Sequence, residues 1–301
     1  MIAVSWGSAT ERGPRRNNQD ALLAEPPVFV VADGMGGHAG GELASAIVVE
    51  TFRGLVGRFD VPPAAVSDLI GQANEAILQQ ADDDPGLRGM GTTLVGLVMV
   101  NDGQADYWLV ANIGDSRLYR FADGELRQLT VDHSFVQELV DAGRIHADEA
   151  RIHPQRNIVT RILGSLQPPE AEYWLFAPEV GERYLLCSDG LCGELEEDEI
   201  ARLMAGIDDP GQAASTLVRE ALEAGGSDNA TAIVIDVWDG VTSELRVDAD
   251  YRSAEDRLQR GRGAHRIDRT GDIGQTYETV LPMDGDMIHG VPDDNERFRN
   301  A

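Results

Sequence analysis

Five aspartates lie where a strand-like run starts or stops, and that placement points to cation chemistry. Asp33 follows the apolar run Val28 to Ala32, and Asp189 follows Tyr184 to Ser188 in the same way. Gly114 alone separates Asp115 from the run ending at Ile113, Asp20 precedes Ala21 to Ala24, and Asp228 with Asn229 precedes Thr231 to Trp238. Taken singly, each suits a turn, because Asp-Gly and Asp-Asn commonly terminate strands. Gathered at one edge of a sandwich, ionised carboxylates repel strongly unless neutralised, and divalent cations are the obvious counter-charge.

The elements that must deliver these side chains are legible as runs. Val28 to Ala32, Leu94 to Val100, Ala105 to Ile113, Tyr184 to Cys187 and Thr231 to Trp238 are rich in β-branched and aromatic residues and read as strands. Glu42 to Leu55, Ala64 to Gln80, Ser134 to Ala142, Glu196 to Met204 and Gln212 to Ala224 carry helical spacing. Glu197 or Asp198 is expected to cap the fourth helix, and Pro210 to introduce the fifth. Strands, two helices, a run of strands and then mixed elements depart from regular βαβ alternation, so the fold class read here is an α+β sandwich. Apolar periodicity fades from Val241 onward, which divides the chain into a folded domain over 1–240 and a polar, flexible tail over 241–301.

Composition excludes several function classes. The chain has 301 residues, 42% of them hydrophobic, enough for a sizeable core. Its formal net charge is −27, and all 25 basic residues are arginine. Such a surface repels a phosphate backbone, so nucleic acid is not an expected partner. Two cysteines, Cys187 and Cys192, give no disulfide framework, and Cys187 lies in an apolar run where a nucleophilic thiolate is disfavoured. No apolar stretch is long enough to span a membrane and the N-terminus has no signal pattern, so no membrane partner and a cytoplasmic location are expected. His133, His146 and His153 are too irregularly spaced for a zinc site, and a loop is the better reading of them.

The residues flanking the aspartates form an ordered set: Arg15-Arg16-Asn17-Asn18-Gln19-Asp20, Ala32-Asp33-Gly34-Met35-Gly36-Gly37-His38, Gly91-Thr92-Thr93, Gly114-Asp115-Ser116-Arg117, Ser188-Asp189-Gly190 and Ser227-Asp228-Asn229-Ala230-Thr231. Together they resemble the metal-dependent protein phosphatases of the 2C type, bacterial branch, over roughly Ser5 to Val237. An ordered set is far more specific than any one member.

That resemblance implies a central antiparallel β-sandwich flanked by helices, in four α-β-β-α layers, with two Mn2+ or Mg2+ ions in a cleft at one end. Carried over by position, Asp33 bridges the two metals, the Gly34 carbonyl binds one of them, and Asp189 and Asp228 complete the protein ligands. Asp20 holds metal-bound waters, beside Gln19 where many relatives have glutamate. Asp115 matches the residue that, in bacterial relatives, helps Asp189 hold a third, weaker metal. Arg15 matches the phosphate-binding arginine, and Arg16 is expected to face solvent. The implied reaction is one-step hydrolysis of phosphoserine and phosphothreonine on proteins by metal-activated water, opposing a cognate Ser/Thr kinase.

Met35 stands where many eukaryotic relatives carry histidine and cannot donate a proton to the leaving oxygen, which leaves a metal-bound water or His38 for that role. His133 to Gly164 resembles the mobile flap beside the cleft. Two rival functions share this sequence: a phosphoprotein-binding scaffold without catalysis, and a two-metal phosphomonoesterase of small molecules. In the tail, Thr270, Thr276 and Thr279 are candidate kinase targets through which a phosphothreonine-binding domain would be recruited.

Overall fold

The computed structural model describes residues 2–36 and 40–239, together with the backbone of His265 and Arg266. His38 and the tail threonines lie outside the described residues. In chain order the elements are β1 (Ile2–Glu11), β2 (Asp20–Glu25), β3 (Val28–Met35), α1 (Gly40–Arg53), α2 (Pro63–Asp83), β4 (Gly91–Thr92), β5 (Leu94–Asn101), β6 (Asp106–Ile113), β7 (Arg117–Ala122) and β8 (Glu125–Gln128). Then follow α3 (Phe135–Asp141), α4 (Ala147–Arg151), β9 (Glu172–Phe176), β10 (Arg183–Cys187), α5 (Asp189–Cys192), α6 (Glu197–Gly206), α7 (Pro210–Glu223), β11 (Ala230–Asp239) and β12 (His265–Arg266).

The strands form two antiparallel sheets. One runs β1-β11-β10-β7-β8; the other runs β12-β9-β6-β5-β3-β2, with β4 joined to β3. Side-chain alternation then sets the layers, because successive residues of a strand point to opposite faces. Phe29 and Val31 of β3 turn toward the other sheet, where they share an interlayer core with Trp108, Leu186, Ile233 and Ile235. Val28, Val30 and Ala32 point the other way and pack with Val48, Phe52, Ile70 and Ile77 of α1 and α2. Leu185, Cys187, Ala232 and Val234 pack outward against Leu203, Leu217 and Val218 of α6 and α7. Three apolar seams thus separate four layers in the order α-β-β-α.

The five expected strands and five expected helices are all present, with ends shifted by a few residues. Ser134 caps α3 by accepting the Gln137 N–H, and Asp209 caps α7 by accepting the Gln212 N–H, with Pro210 in its first turn as expected. The cap expected at Glu197 or Asp198 is corrected: Glu196, in extended backbone, occupies that position without a side-chain cap. Glu197, Asp198 and Glu199 fill the first turn of α6 instead, where the helix dipole favours negative charge.

Candidate functional site

Period-two alternation also builds the site, since at one end of the sandwich the interlayer positions change from apolar to polar. In β3 the series Phe29, Val31 continues to Asp33; in β10 the series Tyr184, Leu186 continues to Ser188; in β11 it runs back from Ile235 and Ile233 to Thr231. Asp20, opposite Asp33 in the β2–β3 register, lies on the same face. Like charges directly opposite each other on neighbouring strands destabilise a sheet, so this pair demands a counter-charge or a proton.

Asp20 is nearly buried and bridges the two sheets. Its Oδ2 accepts from Ser188 Oγ at 2.8 Å and from Thr231 Oγ1 at 2.6 Å, while its Oδ1 is buried with no hydrogen-bond partner. Asp33 is held by its backbone: its N–H donates to Thr93 Oγ1 at 2.9 Å, and its carbonyl accepts from Thr92 Oγ1 and from the Thr93 N–H. Thr93 Oγ1 lies 2.8 Å from Ser116 Oγ, which links the Asp33 strand to the residue after Asp115. Asp189 starts the short α5 and follows β10 directly; its Oδ1 is also buried and unpaired. Gly190 beside it admits no Cβ, which would meet the Asn229 carbonyl oxygen at 1.9 Å, so this spacing lets α5 lie against the start of β11.

Asn229 closes the other wall. Its Oδ1 accepts the Gln19 N–H at 2.8 Å, and its Nδ2 donates to the carbonyls of Arg12 and Asn17. This fastens the 12–19 loop, and with it Arg15, to the Asp228 turn. Arg15 donates from Nη2 to Asp228 Oδ2 at 2.5 Å and from Nε to the Ser227 carbonyl at 3.0 Å. Arg15 and Arg16 are both exposed.

Electrostatics confirm that the carboxylates sense one another. Burial, reinforced by Asp189 and Asp228, pushes the Asp20 carboxyl up to about 6 against the hydrogen bonds from Thr231 and Ser188. Burial, then Asp189 and Asp132, pushes Asp115 up to about 8. Asp33 is raised by burial and by Asp20 and Asp189; Asp189 is raised by burial, although a hydrogen bond in which Asp33 supplies the proton eases it. Among the described residues no three His, Cys, Asp or Glu side chains meet at one point. Facing carboxylates without cations hold apart or share protons, and Asp228 is turned to Arg15.

The donor set suits a hard divalent cation. It consists of carboxylate and carbonyl oxygens, and the Oδ1 atoms of Asp20 and Asp189 are buried acceptors without a hydrogen-bond donor. Asp20, Asp33, Asp115, Asp189 and Asp228, expected from sequence, lie at one edge within electrostatic reach of one another, though not converging on one point, with Arg15 at their margin. Sequence reasoning missed the supporting roles of Thr93, Ser116, Ser188, Thr231 and Asn229. Extending the interlayer alternation past each apolar run would have found Thr93, Ser188 and Thr231.

The profile of the family described as Protein phosphatase 2C matches residues 12–224. The serine/threonine protein phosphatase PstP of Mycobacterium tuberculosis is 38% identical over 243 residues, covering 79% of this chain and 46% of that protein, so the chain spans about half of PstP's length. The serine/threonine phosphatase stp of Listeria monocytogenes is 33% identical over 239 residues, covering 75% of this chain and 93% of that protein. The crystal structure of the PstP catalytic domain in complex with two manganese ions superposes with a TM-score of 0.70 at 36% identity, covering 79% of this chain and all of that one. The chain belongs to the protein phosphatase 2C family.

Proposed function

We propose that this protein hydrolyses phosphoserine and phosphothreonine on other proteins, opposing a Ser/Thr kinase, at a site for two Mn2+ or Mg2+ ions with a third, weaker ion near Asp115 and Asp189. The observation that carries this reading is the delivery of five aspartates from both sheets to one edge, two of them with buried, unpaired oxygens. The manganese bound by PstP and the phosphatase names of the relatives support it.

Asp33, the Gly34 carbonyl, Asp189 and Asp228 would hold the ion pair. When bound, such ions supply Lewis acidity that lowers the pKa of water and offsets phosphate charge. Asp20, its Oδ2 fixed by Ser188 and Thr231, presents Oδ1 as an oriented acceptor for water protons. Arg15 offers a planar fork suited to two non-bridging phosphate oxygens once it turns from Asp228. Met35 carries a thioether, which donates no proton, so the leaving oxygen must be protonated by water or another group.

The test is phosphate release from a phosphothreonine peptide with manganese, with magnesium and with chelator, for the wild type and Asp189→Ala. The expected outcome is metal-dependent release that chelator and the substitution abolish. No release with any metal would replace the reading with a phosphoprotein-binding scaffold. A preference of orders of magnitude for sugar phosphates or nucleotides would replace it with a small-molecule phosphomonoesterase.

A further inference from the structure

The segment between β8 and β9 is rooted in the sandwich at two points, each beside a proposed cation ligand. At one root Thr92 and Leu163 exchange backbone hydrogen bonds of 3.1 and 2.9 Å, and Thr92 is the residue whose hydroxyl donates to the Asp33 carbonyl. At the other, His133 takes both backbone groups of Gly114: its N–H donates to the Gly114 carbonyl at 2.9 Å, and its Nδ1 accepts the Gly114 N–H at 3.1 Å. Gly114 has φ +105°, a conformation that L side chains rarely adopt, and it directly precedes Asp115. A turn in that conformation is held by its hydrogen bonds, and here His133 partners both groups, with Asn112 Nδ2 also donating to the Gly114 carbonyl at 3.4 Å.

The His133 side chain is buried and fixed on its far side as well. Nε2 lies 3.2 Å from Arg161 Nη1 and 3.7 Å from Glu172 Oε1 of β9. Because Nδ1 accepts from Gly114, the ring proton belongs on Nε2, facing Glu172, and Arg161 Nη1, itself a donor, is a neighbour of Nε2 and not its hydrogen-bond partner. The His133 carbonyl accepts the Thr160 N–H at 2.8 Å, so the returning end of the segment is tied to the same residue.

We infer that His133 is a positioning residue that orients the Gly114–Asp115 turn and thereby sets cation affinity at Asp115, tying that affinity to the root of the β8–β9 segment. The inference rests on the reading that Asp115 helps hold the weaker cation. Removing the imidazole leaves a buried Gly114 N–H without its acceptor, a loss that lets the turn relax. Asparagine keeps a side-chain acceptor near the Nδ1 position while deleting the contacts of Nε2.

The test is Mn2+ binding by equilibrium dialysis, with free ion counted by electron paramagnetic resonance, on His133→Ala, His133→Asn and Asp115→Asn. In His133→Ala the weakest binding step should weaken by about tenfold or more, as for loss of groups that orient metal ligands, with the tight steps unchanged. His133→Asn should return that step to within about threefold of wild type. Unchanged binding in His133→Ala, with the weakest step lost in Asp115→Asn, would overturn the positioning role and keep the Asp115 reading. Unchanged binding in Asp115→Asn would remove the Asp115 reading and this inference with it. Should His133→Ala fail to fold, His133→Gln, whose side-chain acceptor lies near the Nε2 position and not near Nδ1, takes its place: a weakest step weakened by about tenfold supports the role, and an unchanged one overturns it.

Discussion

At the scale of single residues, the site trades stability for chemistry. Asp20 ionises against burial and against its neighbours, so Asp20→Asn should stabilise the chelated protein at pH 8 by about 1–3 kcal/mol, read from urea unfolding. The same substitution should lower kcat/KM about 10–100-fold, because it changes the acceptor that orients water. The pH dependence follows in sign. Asp20 and Asp115 are raised from the ordinary 3.8 to about 6 and about 8, so the metal-free native state binds more protons than the unfolded chain between these values. The stability these groups contribute is therefore present below about pH 4 and lost as pH rises through about 6 and then about 8, measurable as a falling urea midpoint in chelator. Thr93→Val should cost about 1–3 kcal/mol, since it orphans the Asp33 N–H and the Ser116 hydroxyl inside the protein. The aspartates were legible in sequence because each stands beside an apolar run and inside a recognisable motif. Thr93, Ser188 and Thr231 were not, because a hydroxyl beside an aspartate looks like turn chemistry until the interlayer face is known. His133 read as a loop residue because its partner, Gly114, lies across a tertiary contact.

At the scale of elements, the expected strands and helices correspond to runs that bury one or both faces. Leu94 to Val100 is buried almost throughout and reads as strand from composition alone. β1 carries exposed and half-buried positions with Gly7 at its centre, and becomes a strand because β11 pairs with it along its whole length. β8 mixes charge with a single leucine and contains no run long enough to show a period, whereas β9 does alternate, burying Tyr173 and Leu175 on one face, and still escaped notice. The helix α7 holds its place by burying Ala213, Ala214, Leu217, Val218 and Ala221 against the outer face of the first sheet. Leu217→Ala should therefore cost about 2–5 kcal/mol by chemical denaturation. Asp209→Ala should cost about 1 kcal/mol through loss of the N-cap. The Asp209 change should leave Mn2+ affinity unaltered, since its side chain bonds only the Gln212 N–H at the start of α7.

At the scale of the whole molecule, cation binding and folding are linked. Mn2+ at about 100 times its Kd should add about 2.7 kcal/mol of stability, a rise of about 5–10 °C in midpoint by scanning calorimetry. The rise should be larger at pH 8 than at pH 5.5, because at the lower pH protons occupy the oxygens that the ion needs. Asp20 and Asp33 belong to strands of one sheet, whereas Asp189 and Asp228 adjoin β10 and β11 of the other. At the opposite end of β10 the Arg120–Glu182 pair and Arg183 on Asp236 tie neighbouring strands of the first sheet to one another. An ion gripped along the carboxylate edge would therefore act as a latch between the two sheets, which the pairs within the first sheet do not provide. Chelation should speed amide hydrogen exchange at Asp33, Ser188 and Thr231 ahead of Arg183 and Asp236, so the sandwich would open first along its carboxylate edge.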